Sequence, residues 1–140
     1  MTAYSDTSLL VSLYVWDSHT VVARELVTSG AQVWFTPFHL TECFHAIAQQ
    51  VFYDRISLDE ANAAYENLKR DLATGIWIQT PMPEQAFAIS ADLARRHGPM
   101  LGVRTLDSLH VACALELKAE RFWTFDERQA KLAKAQGLKT

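Results

Sequence analysis

Residues 104–126 read RTLDSLHVACALELKAERFWTFD. The first half has the spacing of a helix with a buried face, with Thr105 placed to cap it. The second half, Arg121 to Phe125 (RFWTF), reads as a short strand that ends at Asp126. A helix of this length leading into a strand is the repeating unit of a parallel sheet, because parallel neighbours need a crossover that returns the chain to the same edge. Asp107 sits awkwardly in that unit. An ionised carboxylate in an apolar run is costly unless a cation or hydrogen-bond donors meet it, and the expectation is that its partner comes from elsewhere in the fold or from solution.

Outward from this stretch, the same alternation recurs. Met1 to Ser5 makes a strand ending at Asp6, LLVSLYV begins a helical segment, and a second helix covers about 19–29 and stops at Gly30. Gln32 to Thr36 is the next strand. Pro37 suits the first turn of a helix through LTECFHAIAQQVFY, and Ser57 with Glu60 forms a capping box for SLDEANAAYENLKRDLATG. Ile76 to Gln79 is a brief strand, Pro83 opens a helix through AFAISADLARR, HGPMLG reads as a loop, and ERQAKLAKAQ is a final helix stopped at Gly137. The expected architecture is a three-layer α/β/α sandwich around a mainly parallel sheet, with residues 1–140 forming one domain.

The composition suits that fold, with 49% hydrophobic and 21% charged residues. No apolar run approaches the roughly 20 residues that cross a bilayer, and no signal-like segment opens the sequence, so the expectation is a cytoplasmic protein without a membrane partner. Cys43 and Cys113 lie among apolar helical neighbours and read as buried thiols. The formal charge of −3 lacks the basic surplus usual in nucleic-acid binders. If four of the 16 acids were taken up by metal ions, however, 12 would remain against 13 Lys and Arg, a balance compatible with a phosphate-bearing substrate.

Asp6 and Asp126 directly follow strands, and in an open parallel sheet the carboxyl ends of the strands border the crevice where ligands bind. Asp107 stands in the first turn of its helix and Glu42 on an otherwise apolar helix face, so both reach the same crevice if their helices start there. Clustered carboxylates repel, which raises some pKa values or recruits cations, and an all-oxygen donor set selects hard ions such as Mg²⁺ or Mn²⁺.

The stretches SDTSLL around Asp6, LTECFHAI around Glu42, RTLDSLHVACAL around Asp107 and TFDERQAKLAKAQGL around Asp126 follow one another in an order that resembles the PIN-domain family, in particular its VapC-type toxins. They span almost the whole sequence, whereas residues 54–100 carry little family-specific signal. The resemblance implies metal-dependent endoribonuclease activity, with RNA as substrate and a cognate antitoxin as partner. It also implies that Asp6, Glu42, Asp107 and Asp126 hold one or two Mg²⁺ or Mn²⁺ ions. Ser8 and Thr124 match small hydroxyl positions of the family pattern that would orient a carboxylate or water. Arg104 is a candidate phosphate contact, and a symmetric homodimer is expected.

Simpler readings stand beside these. Asp6 and Asp126 are suited to cap the helices that follow them, Glu42 to pair with an arginine, and Asp107 to complement a helix N-terminus. His110 reads as a packing or hydrogen-bonding residue, since neither His110 with Cys113 nor Cys43 with His45 has the spacing of a structural zinc module. Phe35, Phe38, Phe44, Phe52 and Tyr53 fall on strand and helix periods and read as core, with part of the series available to a dimer or antitoxin surface. Two rival functions are a non-catalytic PIN-like scaffold that binds RNA or protein, disfavoured by the four acids, and a receiver-like signalling domain, which lacks its late lysine in RFWTFDE.

Overall fold

The computed structural model describes residues 1–140. Four strands, β1 (Thr2–Ser5), β2 (Gln32–Phe35), β3 (Ile78–Gln79) and β4 (Arg121–Trp123), form one sheet in the order β3-β2-β1-β4. Every pairing is parallel, with Ala3 opposite Val33 and Arg121 on its two sides. Seven helices accompany it: α1 (Thr7–Tyr14), α2 (Thr20–Val27), α3 (Pro37–Phe52), α4 (Leu58–Ala73), α5 (Ala86–Leu101), α6 (Thr105–Glu116) and α7 (Glu127–Ala135).

Strand alternation divides the interior in two. Ala3, Val33, Phe35 and Trp123 point into one cluster with residues of α1 to α4, whereas Tyr4 and Phe122 point into a second with residues of α5 to α7. The result is the expected three-layer α/β/α arrangement. Cys43 and Cys113 are buried on opposite sides of the sheet. Of the aromatic series, Phe35 is core, but Phe52 and Tyr53 at the end of α3 are 79% and 60% exposed. Helical period alone misassigns these two, because it says which face a side chain occupies and not whether anything packs on it.

Several boundaries differ from the sequence reading: β1 starts at Thr2 rather than Met1, β3 at Ile78 rather than Ile76, and β4 stops at Trp123, leaving Thr124 and Phe125 in the bend before Asp126. HGPMLG is not a loop: α5 continues through Pro99 to Leu101 and ends where Gly102 takes a left-handed φ of 62°. Gly98, which has no Cβ to meet the proline ring, eases a helical conformation before Pro99, and Leu101 gains by packing on the second cluster. Pro83 lies three residues ahead of α5, in a turn closed by the Ala86 N–H on its carbonyl. Thr105 does not cap α6; the extended residue before the helix is Arg104, which provides no side-chain cap. Thr36 leaves β2 to cap α3, in a capping box where His39 takes the place of the usual Glu or Gln.

That box ties two site-bearing elements together. His39 is fully buried, its Nδ1 accepts the Thr36 N–H at 2.9 Å, and its Nε2 donates to the Ser5 carbonyl at 2.9 Å. The start of α3 is thereby bonded to the end of β1, one residue before Asp6.

Candidate active site

β1 and β4 run side by side and end side by side, and the Asp6 N–H donates to the Trp123 carbonyl at 2.9 Å. Asp6 and Asp126 therefore emerge together from the carboxyl edge of the sheet. Each also caps the helix that follows. Asp6 accepts the Ser8 N–H at 3.3 Å and the Ser8 hydroxyl at 2.8 Å, and Asp126 accepts the Gln129 N–H at 2.9 Å. Capping and a place in the crevice are therefore compatible for these two acids.

Gln129 bonds two of the four acids, Asp107 and Asp126, and through Thr124 lies close to a third, Asp6, a role the sequence reading missed. It is fully buried, and its Nε2 donates to the Asp107 carbonyl at 3.1 Å. A carbonyl demands a donor, so the amide oxygen of Gln129 faces the other way and accepts the Thr124 hydroxyl at 2.6 Å. Thr124 Oγ1 also accepts the Asp126 N–H at 3.0 Å and lies 3.3 Å from Asp6 Oδ2. With its single proton directed to Gln129, the hydroxyl leaves Asp6 Oδ2 bonded to Ser8 alone. A glutamine three residues into a helix opened by an acid was the available signal, but by type it reads as an ordinary surface residue, and only the fold buries it.

Asp107 has a local partner after all. Arg104 Nε donates to Asp107 Oδ2 at 3.0 Å, corrected from the expectation that the partner lies elsewhere, because the long side chain of an extended Arg104 folds back over the first turn of α6. The pair is lopsided: Arg104 is 80% exposed and Asp107 18%. Burial pushes the Asp107 carboxyl above the usual Asp value; Arg104 opposes this, and the carboxylates of Asp6 and Asp126 add to it. The net direction is upward, so an exposed arginine does not cancel what burial and like charges do.

Glu42 lies at a distinct point of the crevice. The Thr7 hydroxyl donates to its Oε1 at 2.7 Å and His110 Nε2 closes on the same oxygen, while Oε2 has no protein donor. Burial alone raises the Glu42 carboxyl, but the hydrogen bonds from His110 and Thr7 bring it below the usual Glu value. His110 is itself buried, and its Nδ1 lies 2.8 Å from the Tyr4 hydroxyl. Phe38 stacks on the His110 ring with centroids 4.2 Å apart.

Three of the acids border two adjoining hollows, whereas Asp6 is buried at the strand end behind them and lines neither. A groove of about 760 Å³ between α3 and α6 is lined by Glu42, His45, Gln49, Arg104 and Asp107 among others. A second, of about 550 Å³, is lined by Asp107, Asp126, Arg104 and Arg128 among others. Asp107 and Arg104 form the wall common to both. No three His, Cys, Asp or Glu side chains stand close enough together to hold a metal ion as they are placed. The donors nevertheless suit a hard divalent ion: they are carboxylate oxygens, one of them on Glu42 free of protein donors, and the carboxyl of Asp107 is held up first by burial and then by the charges of Asp6 and Asp126.

The family model for the PIN domain matches residues 3–135. This chain belongs to the PIN domain family. Solved PIN-like folds agree. VapC20 of Mycobacterium tuberculosis, a toxin that cleaves the sarcin–ricin loop, superposes with a TM-score of 0.70 at 16% identity, over 92% of this chain and 93% of its own. FitAcB from Neisseria gonorrhoeae gives 0.68 at 16% identity, over 94% and 93%. VapBC2 from Rickettsia felis, solved on a DNA fragment from its promoter, gives 0.64 at 14% identity, over 99% and 96%. No curated protein sequence matches the chain. In this PIN domain no helix is long and apolar enough to cross a membrane.

Proposed function

We propose that this PIN domain is a metal-dependent endoribonuclease, the toxin of a type II toxin–antitoxin pair. It hydrolyses RNA phosphodiester bonds with Mg²⁺ or Mn²⁺ held by Asp6, Glu42, Asp107 and Asp126, in the cytoplasm. The observation that carries this reading is the convergence of Asp6, Asp107 and Asp126 on Thr124 and Gln129 at the carboxyl edge of the sheet, beside a groove that Glu42 enters from α3. Relatives in fold support it: one is a toxin that cleaves the sarcin–ricin loop, and another was solved as a VapBC assembly on promoter DNA.

When bound, a divalent ion in such a site lowers the pKa of a water and neutralises charge developing on the phosphate. The chain's own residues prepare that chemistry. Ser8 holds one oxygen of Asp6, Thr124 and Gln129 hold the backbone and caps that present Asp107 and Asp126, and Thr7 with His110 holds Glu42. Arg104, exposed on the wall between the two hollows, meets a backbone phosphate once it releases Asp107. A cognate antitoxin covers this crevice, and the chain acts as a homodimer.

The test is cleavage of total RNA by the purified chain with Mg²⁺ or Mn²⁺, with Ca²⁺, and with excess EDTA. Internal cuts that need Mg²⁺ or Mn²⁺ and disappear in EDTA are the expected result. Full cleavage in EDTA, or no cleavage under any condition by a folded protein freed of antitoxin, refutes the reading.

A further inference from the structure

The buried cluster behind Glu42 goes beyond holding the core together. Oε1 of Glu42 accepts from Thr7, whose only hydroxyl proton is used in that bond. A carboxylate oxygen offers lone pairs alone, so His110 Nε2, which closes on that oxygen and lies 3.1 Å from Thr7 Oγ1, carries a hydrogen. With a single ring hydrogen, placed on Nε2, Nδ1 on the far side is the acceptor for the Tyr4 phenol at 2.8 Å. Tyr4 is fully buried on β1, and burial keeps its phenol protonated. Phe38 lies flat against one face of the ring, which fixes its plane as well as its hydrogen bonds.

These contacts are asymmetric at the carboxylate. Both protein donors fall on Oε1 and none on Oε2. A glutamate on a helix has three rotatable side-chain bonds, and such an acid reaches a cation reproducibly only if something behind it fixes its orientation. We infer that His110, its ring oriented by Tyr4 and Phe38, is the positioning residue for Glu42: it saturates one carboxylate oxygen and turns the other out to take a divalent cation. The inference rests on the nuclease reading of the site and adds a residue to it. His110 touches neither substrate nor reacting atoms; it acts through Glu42.

The experiment compares His110→Gln with His110→Asn. The amide nitrogen of glutamine reaches about as far as Nε2, whereas that of asparagine reaches only about as far as Nδ1. The two variants are alike in polarity and differ in whether they can meet Glu42. Mn²⁺ uptake by the full chain is followed from the electron paramagnetic resonance of the free ion, with Glu42→Gln as reference and RNA cleavage measured alongside. His110→Gln is expected to keep affinity within about threefold of the parent, and His110→Asn to lose about 10- to 100-fold. Equal affinity in both variants and the parent, with loss in Glu42→Gln, overturns the inference and leaves the nuclease reading intact. Failure of the folded parent to take up Mn²⁺ overturns both. Should the variants not fold, ¹⁵N shifts of the imidazole in the folded parent decide: a protonated Nε2 with Nδ1 as acceptor supports the assignment, and a bare Nε2 overturns it.

Discussion

Gln129 offers the sharpest test of how the site is built, because its side chain makes two bonds and both partners are specified. Gln129→Leu keeps much of the volume and removes the acceptor for the Thr124 hydroxyl and the donor for the Asp107 carbonyl. The residue is fully buried, so water does not replace either partner at Gln129 itself. Each orphaned group costs about 1–3 kcal/mol, and the Thr124 proton is partly rescued by Asp6 Oδ2, 3.3 Å away. The expected loss is therefore about 2–4 kcal/mol, which in a domain of this size lowers Tm by roughly 10 °C. Urea unfolding followed by circular dichroism measures it. Thr124→Val and the double variant complete a cycle, in which the two changes should be less than additive by about 1 kcal/mol because they break one common bond. RNA cleavage should fall with Gln129→Leu even at temperatures where the variant is fully folded, since the Asp107 turn and the cap of α7 lose their common anchor. A loss under about 0.5 kcal/mol, or strict additivity, would refute the proposed Thr124–Gln129–Asp107 linkage.

The remaining predictions concern charge, pH and assembly. Asp107→Asn should abolish RNA cleavage and melt at or above the parent temperature without metal. The Asp107 carboxyl is raised in the folded state, so its contribution to stability is present at low pH and lost as pH rises through the raised value; the variant's advantage should therefore grow from acid to neutral pH, and a variant that melts well below the parent and still cuts RNA would mark Asp107 as purely structural. His39 behaves oppositely: burial first, then the neighbouring His110, lowers its pKa from 6.5 to about 3. Its stabilising contribution is full above pH 6.5 and is lost as pH falls toward 3, at up to about 1.4 kcal/mol per pH unit. Urea midpoints of the parent and His39→Gln between pH 7 and 4 should converge, and parallel curves would argue against a buried neutral imidazole. Sedimentation at high micromolar concentration should show a dimer, and a strictly monomeric mass would remove the homodimer from the proposal.

Sequence alone determined the order of elements, the parallel sheet and the positions of the acids relative to strand ends, because these follow from local periodicity and from the reach of a crossover. Asp6 after β1, Asp126 after β4 and Asp107 in the first turn of α6 were legible for that reason, as was the capping box of Ser57 and Glu60. The run through Pro99 was not: a proline and two nearby glycines signal a break locally, and only the packing of Leu101 on the second cluster keeps the helix going. Phe52 and Tyr53 failed in the opposite sense, since periodicity says which face a side chain occupies and not whether anything lies beneath it. Partners were the least legible feature. Glu42 meets His110 across 68 positions of sequence and Thr7 across 35, and Gln129 reaches back to the Asp107 carbonyl across 22. Such bonds depend on which helix ends arrive at the same strand edge and on donor directions there, and no local pattern encodes them; they exist only once β1 and β4 pair and α3, α6 and α7 are packed on the sheet.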